Sequence, residues 1–326
     1  MKTAIVGLQY GDEGKGRAVG HFSKDVDWVV RFNGGGNAGH TVYDDDGREF
    51  KLHHVPCGAV FGKKVALDSG MVINLATLED EISTLRGAGI EPDIYISENV
   101  HLITPEHLSS DANGSNIGST KRGIAYVYAD RSLRKGIRIG DGDFSGVVNA
   151  TKGWLKYTSY KGLPPIRKDE SAIFEGAQGI MLDVDYGDYP YVTSSSMMPS
   201  SAHRVDRFIG VMKAYTTRVG DGPPYHEDMV DIRVAGKEFG TTTGRPRNCT
   251  WNDLDQIAYA LSIVQPDEIV VTKMDILKDM DNISVYKKNE LYVIGNLDSY
   301  KDFLVSTFPQ IKWFSEAPDG DLIKVT

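Results

Sequence analysis

Only two cysteines, Cys57 and Cys249, occur among 326 residues. That is too few for a disulfide framework in a chain of this length and fits a reducing, intracellular setting. Positive charge is also scarce: 36 Lys and Arg stand against 45 Asp and Glu, for a formal net charge of -9. General affinity for a nucleic acid backbone needs clustered positive charge, so no nucleic acid polymer is expected as a partner. Small phosphorylated ligands remain open, because local amides and a few Lys or Arg suffice to hold them. No apolar run is long enough to span a bilayer, and Asp12 and Glu13 follow Met1 to Leu8 too soon for a signal peptide. The expectation is a cytoplasmic protein with no membrane partner. Internal repeats, low-complexity tracts and a clear interdomain linker are absent too.

What is present is an ordinary globular composition, 40% apolar and 25% charged. The length allows one large domain or two ordinary ones, and the reading adopted is a single domain over residues 1–326. Thr3 to Leu8 is a short apolar run suited to a buried parallel strand, followed by a glycine turn, a short helical face of Ala18, Val19 and Phe22, and a second buried run from Asp27 to Phe32. Leu75, Leu78, Ile82 and Leu85 follow 3-4-3 spacing, with Gly87 placed to end that helix. Ile94 to Ile96, Ala172 to Glu175 and Glu268 to Val271 are further strand candidates, and Leu254, Ile257, Ala258 and Leu261 mark a helix stopped before Pro266. Strands alternating with helices predict an α/β fold with a large, mostly parallel central sheet flanked by helices and long functional loops.

Two glycine-rich segments carry chemistry. Gln9-Tyr10-Gly11-Asp12-Glu13-Gly14-Lys15-Gly16 follows the first strand and opens a helix. Its glycines let backbone N–H groups approach a phosphate, the helix N-terminus favours an anion, and Lys15 adds a point charge. It is not a Walker A motif, since Gln9 and Gly16 break that pattern. A plain turn at a sheet edge is the alternative. Two acidic residues beside an anion site make sense if one binds a metal ion or takes a proton. Asn33-Gly34-Gly35-Gly36-Asn37-Ala38-Gly39-His40-Thr41 follows the second strand, with His40 as a candidate acid, base or charge stabiliser. Alone, such a histidine is more often structural.

Together, "QYGDEGKGR" and "VVRFNGGGNAGHTV" resemble the opening of the adenylosuccinate synthetase family, whose pattern is Q-W-G-D-E-G-K-G and then G-G-x-N-A-G-H-T. "IGSTKRGIAYVYAD", "FEGAQGIMLDVDYGDYPYVTSS", "KAYTTRVGDGP", "EFGTTTGRPRNCTW" and "VTKMDIL" follow in the family's order, from residue 5 to about residue 277. The resemblance implies a ligase in which GTP phosphorylates the 6-oxygen of IMP and L-aspartate then displaces the phosphate.

It also implies roles for particular residues. Asp12 matches the base that removes the N1 proton and helps bind Mg²⁺, and Gly39 matches the position whose carbonyl reaches that metal. His40 matches the stabiliser of the transferring phosphoryl group, Lys15 the phosphate-contacting lysine, and Gln178 the side chain that reads the purine edge; these three and Asp12 are the expected catalytic set. Asn37, Thr120, Thr193, Val219 and Gly220 fall on the acceptor-nucleotide side. Arg134 matches an arginine that reaches the nucleotide phosphate across a dimer interface, so a homodimer is expected. Thr242, Thr243 and Arg245 match the loop that clamps the aspartate carboxylates. Gly14, Gly16, Thr41 and Arg247 fall on the triphosphate side. Lys273 and Asp275 match the pair that recognises guanine, the carboxylate accepting from N1–H and the 2-amino group.

Of three departures from the family pattern, two fall on the acceptor side. Gly118-Ser119-Thr120-Lys121-Arg122-Gly123 replaces G-T-T-G-R-G, and the glycine-rich segment after T-S-S is cut to Ser196–Ala202. A third change leaves only Ser315-Glu316-Ala317-Pro318-Asp319 of the C-terminal guanine-side motif. Asp12, His40, Lys273 and Asp275 stay. The chain resembles the short 2-aminoadenylosuccinate synthetases of bacteriophages, a branch that uses dGMP in place of IMP. The expectation is therefore dGMP as acceptor with GTP as donor, ATP being the other donor. The competing readings are a compact synthetase acting on IMP and, from another class, a GTP-binding regulatory switch that would hydrolyse triphosphate regardless of aspartate.

Overall fold

The computed structural model describes residues 1–114, 119–142, 157–218, 222, 225–239, 244, 246–317 and 321–325. Ten strands form one sheet: β1 (Lys2–Gly7), β2 (Trp28–Arg31), β3 (Lys64–Leu67), β4 (Asp93–Ser97), β5 (Thr158–Tyr160), β6 (Ala172–Gly179), β7 (Arg207–Lys213), β8 (Glu268–Thr272), β9 (Ile311–Phe314) and β10 (Ile323–Lys324). Their order across the sheet is β10-β9-β8-β7-β1-β6-β2-β3-β4-β5. Every neighbouring pair is parallel except β9 with β10. The expected α/β architecture is thus present, with each strand candidate from the sequence in it.

A parallel sheet is covered on both faces, and the alternation of side chains divides the core accordingly. In β1, Ala4 and Val6 pack into the cluster that holds Phe174, Tyr215, Tyr300 and helix Leu254–Val264, whereas Ile5 packs on the opposite face with Ile173, Ala18, Val19, Leu78 and Ile82. The chain winds outward from β1 through β2 to β5, then returns to insert β6 between β1 and β2 before continuing through β7 to the other edge. This reversal beside β1 opens a crevice at the carboxyl ends of the central strands, where open α/β sheets bind ligands.

Two helix details differ from the sequence reading. Helix Leu75–Gly87, capped by the Asn74 side chain accepting from the Thr77 N–H at 3.1 Å, includes Gly87 as its last residue. The left-handed glycine lies two residues on, at Gly89 with φ 84°. In helix Leu254–Val264 the buried face is Leu254, Ile257, Ala260 and Val264, and Ala258 is exposed. The 3-4 ridge toward the sheet continues through Ala260, and a methyl at 258 adds little apolar area to either side. Among the described residues no helix is long and apolar enough to cross a membrane.

Candidate active site

The crevice is a cleft of about 670 Å³. Asp12, Gly14, Lys15, Gly16, Asn37, Gly39, His40, Thr41, Thr120, Gln178, Thr193, Arg247, Lys273 and Asp275 all line it. Residues chosen from six separate segments therefore converge on one cavity, of the size that binds drug-sized or nucleotide-sized molecules.

The loop after β1 shows how its sequence shapes it. Asp12 and Gly14 both have positive φ, 56° and 81°, so the chain turns sharply before helix Lys15–Ser23, whose first residues line the cleft. Gly16 has a different reason: a Cβ there would lie 2.5 Å from the Thr41 carbonyl oxygen, so only glycine lets the helix meet the His40–Tyr43 strand. The two acidic residues separate. Glu13, fully buried, turns inward and accepts from the Gln9 N–H at 3.2 Å, the Gly11 N–H at 2.9 Å and the Lys15 ammonium at 2.6 Å. Glu13 therefore braces the turn. Asp12 faces the cleft and forms an ion pair with Arg247.

His40 begins the hairpin strand after the second glycine loop and is 5% exposed. Its Nδ1 bonds to the Glu175 carboxylate, and its Nε2 has no protein partner. Burial, with Arg31 beside it, pushes the imidazole pKa below the usual histidine value. Burial opposes ionisation of Glu175, but His40, Arg31 and the Cys57 N–H outweigh it, and its carboxyl sits below the usual range. A neutral imidazole on a charged carboxylate accounts for both directions. Gln178, with φ 56°, likewise has an unpartnered side-chain oxygen.

A second charged cluster, Lys213, Glu238, Arg247 and Lys273, also lines the cleft. Lys213 donates to both Glu238 oxygens at 2.8 and 2.9 Å and to the Thr217 hydroxyl at 3.1 Å. Tyr215 donates to Glu238 at 2.7 Å, and Arg247 Nη1 lies 3.4 Å from it. Burial raises the cost of ionising Glu238, yet Lys213 and its other donors hold its carboxyl below the usual range. Burial lowers the Lys273 ammonium pKa against the pull of Glu238. Lys273 itself has φ 61° and donates to the Gly236 carbonyl at 3.1 Å.

The altered acceptor-side segment is built around Asp111, which is 2% exposed. Its carboxylate accepts from the Ser119 hydroxyl at 2.5 Å and the Gly123 N–H at 2.7 Å, and the Lys121 ammonium reaches the Asp111 carbonyl at 2.9 Å. Ser119 and Thr120 line the cleft beside Ile124 and Ala125.

One expected residue does not join the cleft lining. Arg134, with φ 62°, is exposed just past helix Ile124–Ser132. Val219, Gly220, Thr242, Thr243 and Arg245 lie outside the described residues. Lys213, Glu238, Glu175 and Cys57 were missed by the sequence reading. The available signal was charge inside otherwise apolar strand runs, as in "IFEGA" and "GVMKAY", because such residues stay charged only with a partner.

An open, mostly parallel sheet with glycine loops, a lysine, a histidine and an acidic residue at its carboxyl edge defines a nucleotide-binding α/β enzyme. The sequence matches the adenylosuccinate synthetase family over residues 4–151 and 157–305. The chain belongs to that family, whose members are carbon–nitrogen ligases of purine biosynthesis. It is 38% identical to the adenylosuccinate synthetase of Thermosipho africanus, covering 87% of this chain and 82% of that one. Identity to the Thermoplasma acidophilum enzyme is 37%, over 88% and 78% of the two chains. The fully ligated adenylosuccinate synthetase of Plasmodium falciparum superposes with a TM-score of 0.84 at 25% identity, over 99% of each chain. The succinoaminodeoxyadenylate synthetase of cyanophage S-2L, bound to dGMP and to dATP as an energy donor, shares the fold with a TM-score of 0.76 at 21% identity, over 99% of this chain and 95% of that one. The regulatory-switch reading gives way to an enzyme.

Proposed function

We propose that the chain, acting as one domain, uses GTP and Mg²⁺ to join L-aspartate to C6 of a purine nucleotide, with dGMP as acceptor. Asp12 takes the N1 proton, the 6-oxygen becomes the nucleophile toward the γ-phosphoryl group, and the aspartate amine later replaces that phosphate. The carrying observation is that His40 and Gln178, whose buried Nε2 and Oε1 have no protein partners, line the same cleft as Asp12. His40 faces the transferring group and Gln178 the purine edge. Lys15, Arg247 and the amides of Gly14 and Gly16 hold phosphates; phosphoryl transfer depends mainly on such positioning and charge neutralisation. Asn37, Thr120, Thr193, Val219 and Gly220 take the acceptor nucleotide, and Thr242, Thr243 and Arg245 the aspartate.

The Asp12 carboxylate and the Gly39 carbonyl suit Mg²⁺, since both offer hard oxygen atoms from the cleft lining. Bound there, the ion would neutralise charge on the phosphates. Lys273 and Asp275 read guanine in the donor. Arg134, exposed and outside the cleft, is assigned to a partner subunit's nucleotide, which makes the active form a homodimer.

The acceptor assignment rests on the segment around Asp111, Ser119 and Lys121, where this chain leaves the family pattern while Asp12, His40, Lys273 and Asp275 stay. IMP is the second reading, favoured by curated relatives named as adenylosuccinate synthetases. Purified protein given GTP, Mg²⁺, aspartate and either nucleotide decides between them: faster turnover of dGMP supports the proposal, and faster turnover of IMP ends it.

A further inference from the structure

Glu175 lies at the middle of β6, in register with Ile5 of β1 and Arg31 of β2. It is fully buried, as are Arg31 and Cys57. Its Oε1 meets His40 Nδ1 and the Cys57 thiol, the latter at 3.3 Å, and its Oε2 accepts the Cys57 backbone N–H at 2.9 Å. An ionised carboxylate has no hydrogen to give, so each partner must supply one. The imidazole proton is therefore on Nδ1, which leaves Nε2, buried and without a protein partner, as the unprotonated nitrogen of a residue that lines the cleft.

Histidine, cysteine and glutamate with ligand atoms within 4.8 Å of one another also have the composition of a metal site. Burial pushes the Cys57 thiol pKa well above its ordinary value, so the sulfur keeps its hydrogen and serves as a donor. The cluster is a hydrogen-bonded brace. We propose that Glu175, anchored by Cys57, is a positioning residue that fixes the orientation and tautomer of His40. The proposal rests on the reading that His40 acts on the transferring phosphoryl group.

Glu175→Gln gives the sharpest consequence. A glutamine has one acceptor oxygen, and the Cys57 backbone N–H, held in its turn, requires it. The amide NH₂ then faces His40, two donors cannot meet, and the imidazole proton moves from Nδ1 to Nε2. Wild-type protein labelled with ¹⁵N-histidine, with His40 assigned by loss of its signals in His40→Asn, should show a protonated Nδ1 and an unprotonated Nε2. Glu175→Gln should show the reverse. Its kcat should fall about 100-fold, while KM for GTP, aspartate and the nucleotide stays within about threefold, since ground-state contacts are untouched. Cys57→Ala keeps the backbone anchor and should lose only about threefold in kcat, with Cys57→Ser restoring it.

Unchanged kcat or an unchanged ¹⁵N pattern in Glu175→Gln overturns the proposal. So does a loss confined to KM and thermal stability, which is what mere packing would give. If that variant does not fold, the wild-type spectrum decides alone, because an Nε2-protonated His40 contradicts the arrangement. Wild-type kcat in His40→Asn would instead sink the role of His40, and the tautomer measurement would still judge Glu175.

Discussion

Two carboxylates serve the cleft and are held in opposite ways. Glu175 is embedded in the sheet, fully buried, with its known partners His40, Cys57 and Arg31 on neighbouring strands and turns. Asp12 is itself a residue of positive φ in a loop, with its side chain 28% exposed and paired to Arg247. A hydrogen-bonded carboxylate enclosed by strands keeps one geometry. A pair on loops, partly wet and made with a flexible arginine, is worth little by itself and exchanges readily for another anion or cation. The first arrangement suits a group that must stay aimed, the second a group that must change partners when substrates arrive.

Substitutions put that contrast to the test. Asp12→Ala should cost about 10⁴-fold in ligase turnover while leaving the thermal midpoint nearly unchanged, because its pairing with Arg247 contributes little to folding. Near-normal turnover would refute the role given to Asp12. Glu238→Gln leaves the Lys213 ammonium buried without its counter-charge and should destabilise the fold by about 3–5 kcal/mol in urea. Adding Lys213→Met should recover most of that loss; no recovery would show that the pair is not the cause. Asp275→Asn tests the donor side. GTP use should fall about 100-fold and xanthosine triphosphate use should rise, since the asparagine amide can donate to the second carbonyl of xanthine. Equal losses for both triphosphates would mean that Asp275 does not read the base.

The smallest effect is in acid. The Glu170 carboxyl is held at about 2 by the Arg167 N–H, then the Lys64 ammonium, against an ordinary 4.5. Because the folded value is depressed, its contribution is complete above pH 4.5 and is lost as pH falls through about 2. Glu170→Gln should flatten the stability profile within that window, and an unaltered profile there would remove Glu170 from the account of acid unfolding.

Much of this molecule could be read locally. The apolar runs of β1, β2 and β6, the glycine loops after them and the helix at Leu75 all carry signals within a few residues. Strand order was less accessible, because β6 returns from far along the chain to lie between β1 and β2, and nothing in "AIFEGA" specifies its neighbours. The same distance hid the partners of the site residues. His40 and Glu175 are separated by 135 positions, and Lys213 and Glu238 by 25. Asp12 and Glu13 illustrate a finer limit: adjacent carboxylates in one motif point to opposite sides of the loop, a fact of backbone φ more than of composition. Gly87 and Gly89 differ for a similar reason, since only the second adopts the left-handed turn.

The most direct test of the chemistry follows one oxygen atom. With the acceptor nucleotide labelled by ¹⁸O at the 6-position, turnover with GTP and aspartate should release inorganic phosphate carrying that label, since the 6-oxygen attacks phosphorus and departs with it. Label-free phosphate alongside formation of the aspartate adduct would contradict the phosphorylated intermediate and the roles assigned to Asp12 and His40.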